Sequence, residues 1–183
     1  VVLSLPDHWH ALAGIAAARA GLDIFGEKPF THTLREGRAL VNAIERYGRI
    51  WQTGSWQRST SNFHRACELV RNGRIGKVHR VEVLLGGGHI DYEGNRNQQT
   101  PQDPPAHLDY ERWLGPAPWA PYCPARVHKN WRWVLDTGGG QMMDWIGHHG
   151  DIAHWALDLD HTGPVEIEGT GTCDSNGIWD TPT

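Results

Sequence analysis

The sequence lacks the features that mark membrane-spanning and nucleic-acid-binding proteins. No apolar run approaches the roughly 20 residues that a bilayer-spanning helix needs. Lysine and arginine number 17 against 21 aspartates and glutamates, which gives a formal net charge of -4. A chain without an excess of positive charge does not attract phosphate backbones or anionic lipids, so we expect neither nucleic acid nor a membrane surface as a partner.

Cysteine is scarce, and several well-known catalytic motifs are missing. Cys67, Cys123 and Cys173 lie far apart and form no CxxC pair, so neither a disulfide framework nor a zinc knuckle is indicated. No GxGxxG, P-loop or GxSxG motif occurs, and no cysteine and histidine are arranged as a nucleophile with its base. Any chemistry must therefore come from other residues.

Two residue types exceed what an ordinary globular composition of 39% hydrophobic and 21% charged residues would contain. The chain has 10 tryptophans and 12 histidines. Flat aromatic side chains stack on the C–H faces of sugar rings, although a single tryptophan more often fills a core. Six of the tryptophans occur within one stretch: Trp113, Trp119, Trp131, Trp133, Trp145 and Trp155.

The first part of the chain has the pattern of a parallel sheet with crossover helices. Asp7 is placed to cap one helix, and Thr33 with Glu36 forms a capping box that opens a second. These helices alternate with apolar segments of strand length, which is typical of doubly wound α/β folds. The predicted strands are residues 1–5, 22–25 and 50–53. Ligands of such sheets bind where the strands end, here at residues 6–10, 26–30 and 54–57.

The pattern changes after residue 57, and we place a second domain at residues 58–183. A helix is predicted to end at Gly73, and residues 77–85 then alternate as a half-buried strand does. Residues 86–128 form a long irregular segment of a kind that often carries function. A helix over residues 141–157 and a strand over residues 165–172 follow.

The helix over residues 141–157 carries Asp144, His148, Asp151 and Trp155 on one face. An aspartate one turn before a histidine accepts its ring N–H, which leaves the other ring nitrogen free to take a proton from a substrate hydroxyl. A purely structural ion pair is the alternative. A zinc site that includes His149 is disfavoured because the helix has no HExxH motif, so we predict no metal.

Lys28 directly follows the second predicted strand, at the edge of the sheet where ligands bind. A partly desolvated lysine at such an edge relays a proton or holds a hydroxyl by hydrogen bonding. The alternative is a solvated lysine at the start of a loop, because lysines are mostly exposed. His8 and His10, in the first turn of the first helix, have the same alternative as surface residues.

A dense polar and aromatic cluster precedes three consecutive glycines in the second domain. Arginine and asparagine hold vicinal hydroxyls while tryptophan covers a ring face, so the cluster is a candidate sugar-binding segment. A solvent-exposed loop is the alternative. The cluster consists of Arg126, His128, Asn130, Trp131 and Arg132.

Seven segments in chain order resemble the Gfo/Idh/MocA family, which is named for glucose-fructose oxidoreductase and inositol dehydrogenase. They are SLPDHWH, FGEKPF, QTGSWQR, GRIGKVHRVEV, LGPAPWAPY, RVHKNWRW and GGGQMMDWIGHHGDIAHWALDLD. The resemblance implies the fold class α/β plus α+β. Residues 1–57 would form the C-terminal half of a Rossmann-like parallel sheet. Residues 58–183 would form part of an α+β substrate domain with an open, mostly antiparallel sheet.

The resemblance also implies NAD or NADP as the cofactor and assigns residues to it. The segment with Asp7 matches the one that borders the nicotinamide, and Lys28 matches the lysine near the nicotinamide and the substrate hydroxyl. Gln57 falls where many relatives carry an arginine near the nicotinamide. The expected cofactor-binding residues are Pro6, Asp7, His10, Glu27, Lys28, Pro29 and Gln57.

Asp144 and His148 match the D-x-x-x-H pair of the family, in which the histidine is the usual acid/base. The catalytic residues implied are therefore Lys28, Asp144 and His148. His149 has no equivalent in inositol dehydrogenases, and its role is open. The expected substrate-binding residues are Arg126, His128, Trp131 and His149.

The activity implied is oxidation of a secondary alcohol of a sugar, sugar derivative or cyclitol by hydride transfer to a nicotinamide. The alternatives are a redox glycosidase of the same superfamily and a non-catalytic carbohydrate-binding or assembly module. Relatives form homo-oligomers, so a dimer or tetramer is expected, and the compartment stays open between cytoplasmic and exported. Because the family's glycine-rich phosphate-binding turn is absent, we expect the chain by itself to bind cofactor poorly and to be inactive.

Overall fold

Three short parallel strands form the first part of the structure, a computed structural model that describes residues 1–173 and 177–183. The strands lie side by side in chain order, with Val2 opposite Phe25 and Ile24 opposite Trp51. The predicted parallel sheet is therefore confirmed, with shorter strands than the sequence indicated. The strands are β1 (Val2–Leu3), β2 (Ile24–Gly26) and β3 (Trp51–Thr53).

Two helices make the crossovers that parallel strands require. These are α1 (His10–Arg19), between β1 and β2, and α2 (Leu34–Tyr47), between β2 and β3. Thr33 and Glu36 form the predicted capping box at the start of α2. Gly14 of α1 lets the two helices approach closely, because a Cβ atom there would lie 2.9 Å from a methyl group of the fully buried Leu40.

The second part of the chain is helical and irregular. Its helices are α3 (Ser61–Arg71), α4 (Tyr110–Leu114) and α5 (Gly140–Ala156), and α3 packs against α5. Short 3-10 turns occur at Trp56–Ser59, Pro124–Arg126 and His128–Trp133, while Asp7–Trp9 forms another in the first part. No helix of the described residues is long and apolar enough to cross a membrane.

The strands predicted at residues 77–85 and 165–172 do not form in the part of the chain that the structure describes. Only one isolated antiparallel bridge occurs there, between Cys173 and Pro182. A strand needs a partner for its backbone hydrogen bonds. Of the two segments, only the last residue of the second, Thr172, exchanges backbone hydrogen bonds with another described segment, at Thr183, and Leu84 and Val165 are almost fully exposed. The alternation of side chains thus predicted an extended backbone but not a sheet.

His8 and Trp9 tie the parallel sheet to the second part of the chain. The ring nitrogens of His8 lie 3.3 Å from the carbonyl oxygen of Thr137 and 3.0 Å from that of Trp113. The indole N–H of Trp9 donates to the same Trp113 carbonyl at 3.0 Å. His8 is only 2% exposed, so the alternative of a surface histidine is wrong.

Candidate active site

A cleft of about 630 Å³ opens where the parallel strands end and meet α5. Lys28 and Phe30, which follow β2, form one wall, and Thr53 and Ser55 from the end of β3 form another. Gly147 contributes the α5 side and lies beside the Lys28 side chain. The carboxyl ends of the strands therefore border a cavity, as expected for an open α/β sheet.

Lys28, which lines this cleft, is bound to Asp144 of α5. Its ammonium group donates to the Asp144 carboxylate and, at 2.9 Å, to the Asp144 backbone carbonyl. Both side chains are only 14% exposed. Arg132 approaches the other carboxylate oxygen of Asp144 at 3.3 Å. Lys28 is therefore a partly buried, paired cation, and the alternative of a solvated lysine is wrong.

Asp144 does not orient His148, contrary to the sequence-based expectation. Both of its carboxylate oxygens face cations, and within the described residues no hydrogen bond joins it to His148. The spacing placed the two residues on neighbouring turns of α5 correctly. It did not determine which partner each side chain takes, because the cations come from distant parts of the chain.

His148 is buried beside this pair with a free ring nitrogen. Its side chain is 7% exposed, and its Nδ1 atom is buried without a hydrogen-bond partner in the described structure. Trp56 and Trp145 each contact the ring edge-on at 5.7 Å between centroids. Burial lowers the pKa of His148, and the positive charge of Lys28 lowers it further. The imidazole is therefore neutral near pH 7 and able to accept a proton.

Asp7 is a buried member of the same charged cluster rather than a helix cap. No side-chain capping bond forms at the start of the Asp7–Trp9 turn, and Asp7 is 5% exposed. Burial raises its pKa to about 7; the positive charges of Lys28 and Arg132 oppose this rise, and the negative charge of Asp144 adds to it. A capping position and a buried site look alike in sequence, since both favour a short acidic side chain.

His10 joins the ends of β1 and β2 instead of facing the cleft. Its ring nitrogens lie 2.6 Å from the carbonyl oxygen of Pro29 and 2.8 Å from that of Leu5, and the residue is 1% exposed. No ring nitrogen is left for a ligand. The expected role of His10 in cofactor binding is thus reduced to positioning Pro29, the residue after Lys28. The alternative, that His10 is a surface histidine, is wrong.

Three other expected cofactor residues follow the strands. The Glu27 carboxylate lies over Gly54, where a Cβ atom would be 2.9 Å from it, so a larger residue at this position would push the Glu27 side chain aside. Gln57 is 4% exposed, and its amide oxygen lies 3.2 Å from Nδ1 of His149. Pro6 immediately precedes the Asp7–Trp9 turn, where its carbonyl oxygen accepts a hydrogen bond from the Trp9 backbone.

The polar segment before the glycines is only partly brought to the site. Trp131 lies beneath the guanidinium of Arg132 at 4.5 Å, and through it contacts the Asp144 cluster. Arg126 and His128 have no hydrogen bond or ion pair to this cluster in the described residues, and His128 is exposed. Arg132 was expected only as part of a candidate sugar-binding segment, and its ion pair with Asp144 was not predicted. The adjacent Trp131 marks this segment in the sequence as a candidate binding segment, but no sequence pattern links Arg132 to α5.

The histidines of α5 do not converge on a metal site. His148 packs against Trp56, whereas His149 faces Gln57. Among residues 1–173 and 177–183, no three histidine, cysteine or acidic side chains are grouped so that they could hold a metal ion. What the arrangement offers is a charged lysine, a neutral imidazole and a cavity at the ends of parallel strands.

Two family descriptions match consecutive parts of the chain. Residues 1–55 match the GFO_IDH_MocA family, described as "Oxidoreductase family, NAD-binding Rossmann fold". Residues 59–180 match GFO_IDH_MocA_C2, described as "Oxidoreductase family, C-terminal alpha/beta domain". The two matches follow the division between the parallel sheet and the helical, irregular part.

Characterised relatives act on sugars and cyclitols. A 1,5-anhydro-D-fructose reductase of Ensifer adhaerens is 24% identical over 180 residues, 98% of this chain and 44% of that protein. A myo-inositol 2-dehydrogenase of Thermotoga maritima is 29% identical over 116 residues, 63% of this chain and 30% of that protein. A levoglucosan dehydrogenase of Pseudarthrobacter phenanthrenivorans is 27% identical over 110 residues, 60% of this chain and 25% of that protein.

The chain therefore spans less than half the length of each of these relatives. Among solved structures, an aldose-aldose oxidoreductase from Caulobacter crescentus is 32% identical with a TM-score of 0.39, over 40% of this chain and 22% of that one. A myo-inositol 2-dehydrogenase from Lactobacillus plantarum is 31% identical with a TM-score of 0.40, over 42% of this chain and 23% of that one.

Proposed function

Because the chain belongs to the Gfo/Idh/MocA family of oxidoreductases, we propose that it supplies the proton-transfer site of an enzyme that oxidises a secondary alcohol. The substrate class is a sugar, a sugar derivative or a cyclitol, and the cofactor is NAD or NADP. One observation carries the proposal: Lys28 is held by Asp144 at the wall of a cleft, one helical turn from a buried imidazole with a free nitrogen. We place the domain division after residue 57.

Each of the three proposed catalytic residues has a separate task. Lys28 donates a hydrogen bond to the oxygen of the substrate hydroxyl and stabilises the negative charge that develops there. His148, as a neutral base, takes the hydroxyl proton. Asp144 accepts from Lys28 and fixes the position of its ammonium group. Asp144 is thus a positioning residue for the lysine rather than for the histidine.

The residues around the cleft fit the nicotinamide half of the cofactor. The buried Nδ1 atom of His148 has no partner within the described chain, and the cavity beside Lys28 lies at the strand ends where dinucleotides bind in such sheets. When bound, the cofactor supplies the acceptor for the hydride that leaves the substrate carbon. The residues that would border the cofactor are Pro6, Glu27, Pro29 and Gln57. Asp7 and His10 would support these residues without contacting the cofactor.

The substrate is proposed to lie on the α5 side of the cleft. Trp131 packs against Arg132 of the Asp144 cluster, and His149 contacts Gln57. Both remain our candidates for contacts with ring hydroxyls. Arg126 and His128 lack a structural link to the cluster and are the weaker candidates. We also propose a homo-oligomer, dimer or tetramer, which sedimentation of the full-length protein would measure.

The test is an assay of the full-length protein with NAD or NADP and a panel of aldoses, sugar lactols and inositols. We expect a ketone or lactone to accumulate together with reduced cofactor. His148→Gln should lower kcat by about 10² to 10⁴, the usual contribution of a general base. Release of an aglycone without net change of the cofactor would instead indicate a redox glycosidase. Unchanged activity of His148→Gln would contradict the proposed proton transfer.

A further inference from the structure

Trp56 is a large aromatic side chain that contacts the proposed base and is left mostly uncovered. It begins the Trp56–Ser59 turn that follows β3, and its ring centroid lies 5.7 Å from that of His148, with the ring planes at 67°. Trp56 is nevertheless 56% exposed. Because tryptophan gains stability from burial of its large apolar surface, an open indole at this point is available for contact with a ligand.

The second tryptophan that contacts His148 is held differently. Trp145 of α5 is less exposed than Trp56 and lies against two histidines, at 5.7 Å from the His148 ring and 5.4 Å from the His149 ring. In the described part of the chain, the His148 ring is the one aromatic ring that Trp56 contacts. Trp145 therefore packs the imidazole from within the protein, whereas Trp56 keeps most of its surface free.

Trp56 also lies next to the cleft in which the substrate is proposed to bind. Ser55, which precedes it, and Arg58, two residues later, both line the cleft, as does Gly147, the residue before His148. A hydroxyl in hydrogen-bond contact with His148 brings the rest of its ring into the space beside the imidazole. Because Trp56 contacts the same imidazole, its indole borders that space.

We propose that the Trp56 indole stacks on the C–H face of the ring of a cyclic substrate, a pyranose or a cyclitol. This inference rests on the proposed function, which brings a secondary alcohol to Lys28 and His148. The C–H face of a saturated ring packs against an aromatic face, while the hydroxyls at the ring edge stay free for hydrogen bonds. Stacking on Trp56 thus restricts how the ring lies and presents one hydroxyl to Lys28 and His148.

Steady-state kinetics of the full-length protein, with myo-inositol and D-glucose as substrates, tests the inference. Trp56→Leu keeps an apolar side chain without a ring, and Trp56→Phe keeps a smaller ring. We expect Trp56→Leu to raise KM by roughly three- to tenfold, as for the loss of one aromatic contact, with a much smaller change in kcat. Trp56→Phe should recover most of this loss.

Trp119→Leu is the matched control. Trp119 is 77% exposed, and the segment around it contributes no residue to the cleft. Its substitution should therefore leave KM unchanged. An equal rise of KM in Trp119→Leu, or a Trp56→Phe variant with the same KM as Trp56→Leu, would overturn the inference. If Trp56→Leu does not fold, Trp56→Gln, which suits an exposed position, takes its place with the same expected KM.

Calorimetric titration of the same variants with NAD⁺ or NADP⁺ distinguishes the two rings that could lie on Trp56. The affinity for the cofactor should be the same in Trp56→Leu as in the unsubstituted protein. Weaker cofactor binding with an unchanged KM for the sugar or cyclitol would assign the indole to the nicotinamide and overturn the inference.

The outcomes also separate this inference from the proposed function. If Trp56→Leu leaves KM unchanged while His148→Gln loses turnover, the stacking on Trp56 is rejected and the proposed proton transfer stands. If no sugar or cyclitol is oxidised by the unsubstituted protein with either cofactor, the proposed function is rejected, and the stacking with it.

Discussion

Two ion-pair clusters lie on the same helix, α5, and differ in what they leave available for chemistry. In the first, Asp144 binds Lys28 and Arg132, and the paired side chains of Lys28 and Asp144 are 14% exposed. In the second, Asp151, seven residues later, binds Arg58 by two hydrogen bonds at 2.6 and 2.8 Å. The second cluster is more open, with Arg58 32% exposed.

The Arg58 cluster is suited to holding the structure together. Asp160 contacts the remaining guanidinium nitrogen at 3.2 Å, and Trp155 lies under the guanidinium at 5.4 Å. The hydrogen bonds from Asp151 and Asp160 raise the pKa of Arg58, which therefore stays charged. Although Arg58 also borders the cleft, four of its five N–H donors are bound to Asp151 and Asp160. The Arg58 cluster joins the Trp56–Ser59 turn to the end of α5.

The Lys28 cluster, in contrast, contains groups that exchange protons. Asp7 has a pKa raised to about 7, and the adjacent His148 has a lowered pKa and a free buried nitrogen. An arginine and its carboxylates fix geometry, whereas a lysine, an aspartic acid and an imidazole with shifted pKa values are suited to catalysis. The two clusters therefore differ in role because of the type of cation and its burial, and not because one of them contains an ion pair.

The largest expected effect is a difference in kcat between variants of the two clusters. Lys28→Met in the full-length enzyme removes the hydroxyl donor but keeps the length of the side chain, so kcat should fall by about 10² to 10⁴. Arg58→Met is the matched variant in the other cluster, and its kcat should change by less than about tenfold, because four of the five N–H donors of Arg58 are bound to Asp151 and Asp160. Steady-state kinetics on both variants measures this. A comparable loss of kcat in both would contradict the division of roles.

The next effect concerns the pH dependence of stability. The pKa of Asp7 is higher in the folded chain than in the unfolded one, so the folded state binds more protons between about pH 4 and pH 7. This group therefore lowers the free energy of unfolding as the pH rises through that interval, by at most about 1.4 kcal/mol per pH unit. Asp7→Asn should flatten the slope and be the more stable form at pH 8, as measured by urea unfolding.

In the Arg58 cluster, Arg58→Met and Asp151→Asn serve as the controls for the Asp7 prediction. Neither should flatten the pH dependence of unfolding between pH 4 and pH 7. If Asp7→Asn shows the same slope as the unsubstituted protein, Asp7 is not protonated in the folded state. The Lys28 cluster would then resemble the Arg58 cluster in its electrostatics.

The smallest effect is the loss of stability when the Arg58 cluster is broken. Arg58→Met removes charge-assisted hydrogen bonds to Asp151 and Asp160, but partial exposure screens them, so we expect a loss of about 1 to 2 kcal/mol in the free energy of unfolding. Salt at about 1 M should reduce this loss, since the Debye length then falls to about 3 Å. A loss that salt does not affect would indicate packing on Trp155 as the main contribution.

The parallel sheet and the positions of the main helices could be predicted from the sequence. Apolar segments of strand length and the Thr33 capping box are local signals, and parallel topology then places Lys28 at the ligand edge. The spacing along α5 also placed Asp144 and His148 on adjacent turns. Periodicity is sufficient for features of this kind because they depend on neighbours in sequence.

Features that depend on distant partners could not be predicted. The sequence placed Asp7 at a helix cap, whereas its burial in the folded chain determines its state. It likewise paired Asp144 with His148, although two cations from other segments occupy the carboxylate. The prediction of a strand over residues 165–172 was wrong, because the alternation of side chains does not supply a pairing partner for the backbone. The roles of the site residues stay predictions.

A structure of the full-length protein with oxidised cofactor and a bound polyol tests the central claim most directly. We expect one substrate hydroxyl within hydrogen-bond distance of both the Lys28 ammonium group and the His148 imidazole, beside the nicotinamide ring. A polyol bound elsewhere, with Lys28 and His148 contacting no common hydroxyl, would contradict it.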